Sequence, residues 1–366
     1  MIPVSEPDIG QKEIEYVTDA VKSGWVSSHG KYIDKLEENF SRFIGTKYGL
    51  TVSNGTTALH LALCAIGIKY GDEVIVPDLT FISPVNAVLY CNATPVLCDI
   101  DRKNWCIDSK LVEELITKKT KAIIVVHLYG NSADMDKIME VAERHRLFVI
   151  EDTAESLGTT YKGKKLGSIG TIGCFSFYGN KTMTTGEGGF CTTDSQELYE
   201  KMTILRDHGM IPSKRYWHEF IGYNYRMTNL QAALGFAQLH RINYFINRKH
   251  EIGKIYKEKL NGKVILHPEG NDYSGTYWLY SILLNDEKER DSLIEFLYQN
   301  GIDTRKFFYP VHIMPPYKKY SRNNYPISTD ISRRGINLPS SVKLEDEQVN
   351  YVCNKIIEFL EIKFNI

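Results

Sequence analysis

No apolar run in the chain is long enough to cross a bilayer. Charge of one sign is also missing. Forty-four Lys and Arg stand against 45 Asp and Glu, for a formal net charge of −1, so neither nucleic acid nor an anionic membrane meets an electrostatic footprint. Among the seven cysteines no Cys-x-x-Cys pair occurs. Cys64, Cys98, Cys174 and Cys353 sit in apolar runs, and the set reads as reduced core thiols of a cytoplasmic protein, with neither a disulfide framework nor a metal site. Residues 1–7 lack a basic end followed by an apolar core, so no secretory signal is expected. No Gly-x-Gly-x-x-Gly follows the first expected strand, which argues against a dinucleotide-binding Rossmann domain. Repeats and low-complexity tracts are absent as well.

What is present is 366 residues, 43% hydrophobic and 24% charged, enough for a large domain and a smaller one, each with its own core. Residues 1–245 alternate short β-like runs with helical stretches. Strands are expected at 48–53, 73–77, 94–100, 122–128, 147–151, 174–178 and 189–193, with helices such as 56–68 and 134–145 between them. Several of the strands are continuous apolar runs, Ile123-Ile-Val-Val126 for example, which suits parallel strands covered on both faces. The pattern predicts an α/β sheet with crossovers. A long helix is expected from Asn229 past Arg248. Residues 246–366 then read as a smaller α+β domain, with a strand at 276–284, a helix at 287–300 and a final amphipathic helix burying Val349, Val352, Ile356 and Leu360.

The chemistry concentrates at strand ends. The run 147–150 delivers Glu151-Asp152. The run Cys174-Phe-Ser-Phe-Tyr178 leads through Gly179-Asn180 to Lys181, followed closely by Gly186, Gly188 and Gly189. A strand-end carboxylate and a lysine on a glycine-rich return are what pyridoxal 5′-phosphate (PLP) chemistry needs: an amine to bind the cofactor's carbonyl carbon, and an acid to keep its ring nitrogen protonated. The blander alternatives are a solvated surface lysine and, for Asp152-Thr-Ala-Glu155, a helix capping box. Ser53-Asn-Gly55-Thr56 runs from a strand into an apolar helix, whose first N–H groups can meet a phosphate with Gly55 allowing a sharp turn. An ordinary N-cap reads the same way. Ser176 is a candidate to reach that phosphate, or else a buried serine bonded to backbone; Phe81 is a candidate to stack on the ring, or else plain core; and Glu155 is a candidate to meet the ring's phenolic oxygen.

Taken together, these phrases resemble the sugar-nucleotide aminotransferases of the DegT/DnrJ/EryC1/StrS family. Gly24-Trp-Val-Ser-Ser28, His127-Leu-Tyr-Gly130, Thr185-Gly-Glu-Gly-Gly189 and Gly222-Tyr-Asn-Tyr-Arg-Met-Thr-Asn229 extend the likeness over nearly the whole chain. The resemblance implies the aspartate-aminotransferase fold (fold type I), with a mostly parallel seven-stranded sheet. It implies PLP, cycling through pyridoxamine phosphate, with Lys181 and Asp152 catalytic. Gly55, Thr56, Phe81, Glu155, Ser176 and Asn224 join them in binding the cofactor. Asn224 would serve the neighbouring subunit of a homodimer with shared sites. Glu155 departs from the glutamine of many relatives, as in some members acting on guanosine-linked sugars. The same subgroup is similar around Arg215-Tyr216-Trp217 and Phe308-Tyr309-Pro-Val-His312-Ile-Met-Pro-Pro-Tyr317. With Trp25 and Ser27 these are the implied contacts to substrate, and no metal is implied. The implied reaction moves the amino group of L-glutamate to C4 of a nucleotide-linked 4-keto-6-deoxy sugar. GDP-4-keto-6-deoxy-D-mannose is the first expectation and a UDP-linked sugar the alternative. A non-catalytic PLP-binding regulator is the reading from another class. A 3-dehydratase on this scaffold carries histidine where this chain has Lys181. For the donor carboxylate, Arg226 and Arg305 are the candidates.

Overall fold

The computed structural model describes residues 1–364. Its helices are α1 (Gln11–Lys22), α2 (Lys31–Ile44), α3 (Gly55–Ala65), α4 (Ser83–Tyr90), α5 (Ser109–Val112), α6 (Met135–His145), α7 (Gln196–Arg206), α8 (Asn229–His240), α9 (Ile242–Leu260), α10 (Glu287–Gln299), α11 (Pro326–Arg334) and α12 (Asp346–Phe364). Its strands are β1 (Tyr48–Val52), β2 (Glu73–Pro77), β3 (Thr94–Cys98), β4 (Thr120–Val126), β5 (Phe148–Asp152), β6 (Thr160–Tyr161), β7 (Lys164–Lys165), β8 (Ile172–Ser176), β9 (Gly189–Thr193), β10 (Tyr273–Ser274), β11 (Ser281–Leu283), β12 (Arg305–Lys306) and β13 (Gly335–Asn337).

Seven strands form one sheet in the order β1-β9-β8-β5-β4-β2-β3. Only β9 runs against its neighbours; the remaining pairs are parallel. Alternate residues of each strand enter different cores. Val74, Val76, Ile124 and Ile150 pack with α3 and α4, whereas Ile75, Ile123, Val125 and Val149 pack with α6 on the opposite face. With both faces covered, no strand position can stay polar cheaply, and this is the origin of the unbroken apolar runs. Phe175 and Phe190 join Phe40 and the α8 residues Ala232 and Phe236 in a third cluster.

The smaller unit folds α9, α10 and α12 around the sheet β11-β13-β12. Val349, Val352, Ile356 and Leu360 are buried there, as their spacing predicts. Several boundaries differ from the sequence expectation. The strand expected at 276–284 shrinks to β11. β3 stops at Cys98, because Ile100 bridges to Ile107. β8 ends at Ser176, since the Phe177 N–H turns to the Gly188 carbonyl. The long helix breaks at Arg241 (φ −105°, ψ 3°), whose guanidinium is drawn to Asp8 and Glu13. α9 then continues through the expected domain junction at 245/246.

Candidate active site

β5 and β8 are parallel neighbours with Asp152 opposite Cys174, so the Asp152 carboxylate and the residues after β8 emerge at the same carboxyl edge of the sheet. Open α/β sheets bind ligands along this edge. Asp152 is 6% exposed, and its carboxylate accepts the Ala154 N–H at 3.0 Å. Burial pushes its carboxyl up to about 6, helped by the nearby Glu155 charge and opposed by Lys181. No helix follows Asp152, so the capping-box alternative is corrected: the 152–155 phrase forms a tight turn. Glu151 points to the other side. It is fully buried and takes N–H bonds from Gly167, Ile169 and Gly170, with His127 beside it, so it anchors the strand.

Lys181 lies in the connection between β8 and β9, its N–H bonded to the Tyr178 carbonyl. Its Nζ is 3.5 Å from Glu155 Oε1, and both side chains are largely buried. The surface-lysine alternative is thereby removed. Burial lowers the Lys181 pKa, against the pull of Glu155 and Asp152, and raises that of Glu155. Desolvation thus outweighs their attraction, and the pair sits nearer to neutrality than it would in water. Glu155 Oε2 also accepts the Tyr129 N–H at 3.0 Å. Above the amine lies the Trp278 ring, its centroid 3.5 Å from Nζ.

The helix start at α3 is capped by Asn54, which accepts the Thr57 N–H at 2.9 Å. Gly55 is the first helical residue and has no left-handed backbone. The expected sharp turn is therefore not its purpose. A Cβ there would meet Ser176 Cβ at 2.8 Å, so glycine lets the helix start press against the end of β8. Thr56 shares a hydrogen bond with Ser83 at 2.7 Å. The result is a cradle of N–H groups and hydroxyls at a helix N-terminus, where an anion gains about 0.3–1 kcal/mol from helix polarity.

The remaining sequence-predicted residues fall into two groups. Phe81 is half exposed, with its ring 5.7 Å from that of Phe308. Nearby, His312 Nδ1 is 2.7 Å from Asp78 Oδ2, Tyr317 donates to Asn86 and Tyr309 is exposed. The second group is apart from Lys181. Trp25, Arg215 and Tyr216 line an open cleft of about 1070 Å³, with Asp207 and Arg226 in its wall. Lys181, Asp152 and Ser176 contribute nothing to that cleft. Trp217 and Ser27 are exposed and do not line it, and Asn224 is exposed with its side chain held by Arg226. Arg226 is paired with Asp207 at 2.9 Å, whereas the charge of Arg305 is felt by Lys181 and lowers its pKa.

Sequence reasoning missed the roof. Trp278 donates its indole N–H to the Asn180 carbonyl at 2.8 Å, and its own carbonyl accepts from buried Lys249 at 2.9 Å. Nothing in the local sequence around 249 or 278 signals a site so far back along the chain. Tyr129, within the quoted His127–Gly130 phrase, has a left-handed backbone (φ 54°) that aims its N–H at Glu155.

A carboxylate buried without a cation in ion-pair range is costly unless a bound group supplies one. Asp152 is such a carboxylate, and the α3 cradle offers an anion site on the same sheet edge. The donors fit a cofactor with a cationic ring at one end and a phosphate at the other. Fold and site together are those of a fold type I transferase built around a lysine. The chain belongs to the DegT/DnrJ/EryC1/StrS aminotransferase family, matched over residues 7–357. It is 50% identical to the GDP-perosamine synthase of Escherichia coli O157:H7, over 99% of both chains. It is 46% identical to that of Vibrio cholerae, over 97% of this chain and 98% of the relative. A putative sugar aminotransferase from Streptococcus pneumoniae, solved in its PMP form, superposes with a TM-score of 0.95 at 31% identity, covering 100% of this chain and 98% of that one. Among the described residues no helix is long and apolar enough to cross a membrane.

Proposed function

We propose that this chain is a PLP-dependent aminotransferase that moves the amino group of L-glutamate to C4 of GDP-4-keto-6-deoxy-D-mannose, giving GDP-perosamine. The observation that carries the reading is the meeting of Lys181, Asp152 and the α3 cradle at one sheet edge. The names of the full-length relatives direct it to a guanosine-linked sugar. Bound PLP supplies an aldehyde that takes up amines and a cationic ring that withdraws electrons. Asp152 holds the ring nitrogen protonated, and its own burial becomes favourable through that cation. Thr56, Ser176 and the Gly55 N–H hold the phosphate, and Phe81 covers the ring. Lys181 would hold the cofactor through its amine and would serve as the general base and acid. It removes a proton at the α-carbon of glutamate and delivers one at C4 of the sugar. A depressed pKa keeps part of its amine unprotonated for both tasks. Arg305, rather than the already paired Arg226, serves the donor carboxylate.

The reading includes a homodimer with shared sites. In one chain the cleft of Trp25, Arg215 and Tyr216 holds no member of the lysine set, and Asn224 faces outward beside it. A second copy lets these residues complete its neighbour's site, with Asn224 on the phosphate and the aromatic and basic residues on sugar and nucleotide. Tyr309, His312 and Tyr317 meet the substrate from the same chain as Lys181. The test is incubation of the purified protein with glutamate and either GDP-4-keto-6-deoxymannose or UDP-4-keto-6-deoxyglucose, reading product mass. A gain of one amino group on the GDP sugar is expected. Transfer only to the UDP sugar, or to neither, overturns the proposal. Lys181→Ala should abolish turnover and the cofactor's bound absorption band while circular dichroism stays native; normal turnover would refute the role of Lys181.

A further inference from the structure

Away from the lysine site, α3 carries His60 and Cys64 one turn apart, where i and i+4 side chains share a face. Cys91, directly after α4, meets them. Cys64 Sγ is 3.4 Å from His60 Nε2 and 3.9 Å from Cys91 Sγ, and the three donor atoms lie within 4.8 Å of one another. The Tyr223 hydroxyl stands 3.5 Å from Cys64 Sγ. His60 Nδ1, the nitrogen turned away from the thiols, is 3.0 Å from the Tyr225 hydroxyl. His60 and Cys91 are buried, and Cys64 is partly open.

We propose that His60 Nε2, Cys64 Sγ and Cys91 Sγ form a binding site for Zn²⁺, with the Tyr223 hydroxyl at the fourth corner. A tetrahedral zinc has bonds of about 2.3 Å to sulfur and about 2.0–2.1 Å to nitrogen or oxygen, which place the donors about 3.8 Å (S to S) and about 3.5–3.6 Å (S to N or O) apart. The three separations measured from Cys64 Sγ, 3.4, 3.9 and 3.5 Å, are edges of that tetrahedron to within about 0.2 Å. A disulfide needs about 2.0 Å between the sulfurs; at 3.9 Å Cys64 and Cys91 are free thiols, and both sulfurs remain able to ligate. The hydroxyl on Nδ1 is the outer contact that fixes the ring of a metal-bound histidine and leaves Nε2 free to ligate. Two thiolates also cancel the charge of the dication, so the loaded site is electrically neutral in a buried place. An ion here would tie Tyr223, next to Asn224, to α3, whose N-terminus carries Gly55 and Thr56.

The experiment uses the full-length, untagged holoenzyme, stripped with a chelator and titrated with Zn²⁺ and, separately, with Co²⁺ as a spectroscopic probe. One Zn²⁺ per chain, retained through desalting, is expected, together with a cobalt spectrum bearing thiolate charge transfer and intense tetrahedral bands. Cys64→Ser and Cys91→Ser should each weaken binding at least about 100-fold, and His60→Gln at least about 10-fold. The wild-type cobalt spectrum tests the geometry with no substitution at all. No stoichiometric zinc, a weak octahedral cobalt spectrum, a Cys64–Cys91 disulfide in the purified protein, or undiminished binding by Cys91→Ser would each overturn the proposal.

Discussion

Asp152 carries a burden that should be visible in the apoprotein. Its carboxyl titrates near 6 in the fold, against an ordinary value of 3.8. That shift of roughly 2 units corresponds to about 3 kcal/mol of preference for the neutral form. Because the folded value lies above the unfolded one, the penalty is absent below about pH 4, grows as pH rises to about 6, and is complete above that. An Asp152→Asn substitution would keep the acceptor for the Ala154 N–H and remove the charge. The apo form of this variant should therefore be more stable than apo wild type by about 3 kcal/mol at about pH 8, with the gap closing by about pH 4. Urea unfolding of both apoproteins across that range measures it. With cofactor and glutamate the order reverses in function, since the variant has no anion for the ring nitrogen and should lose most of its rate. A stability gap that is absent at the alkaline end, or that does not change with pH, would refute the assignment of a buried acid with no cation in ion-pair range.

Other outcomes follow from neighbouring contacts. Lys249 is buried with a pKa of about 7, so wild-type stability should rise with pH from about 7 toward about 10, where the unfolded chain still holds that proton; urea unfolding of Lys249→Met should show no such slope. Gly55→Ala forces a Cβ to within 2.8 Å of Ser176 Cβ. Relief of that overlap costs about 1–3 kcal/mol, and absorbance titration should find cofactor binding weakened roughly 10- to 100-fold. Glu155→Gln removes the charge that raises the Lys181 pKa, so the acid limb of the glutamate half-reaction should move to lower pH. A shift to higher pH in stopped-flow profiles would contradict the pairing at 3.5 Å.

The proposed catalytic pair could be picked out because each member sits at or just past the end of an apolar run, and a strand's end is one of the few places where a sequence announces what it aims at the sheet edge. Asp152 was nonetheless ambiguous, since Asp-x-x-Glu spells a helix cap unless tertiary contacts divert Glu155 toward Lys181. Gly55 was picked out for the wrong physical reason: its need is contact with Ser176, a residue 121 positions away in number, which no local pattern encodes. The cut at Arg241 is similar, because helix periodicity runs through it and only Asp8 and Glu13, near the other end of the chain, explain the break. Cys64 and Cys91 belong to the set that reads as reduced core thiols, and no Cys-x-x-Cys spacing hints at the site proposed for them. Their approach depends on α3 packing beside α4, and His60 joins from within a helix whose pattern is otherwise largely apolar.

Trp278 lies on the far side of the expected junction from Lys181, yet its indole covers the amine. A fragment ending near residue 245 would keep the nucleophile, the acid and the phosphate cradle but open the lysine to water. Its ammonium would then regain full hydration and lose reactivity. A chimera of relatives joined at the helix that links the two segments should accordingly stand or fall on whether an indole from the second part still shields the lysine of the first.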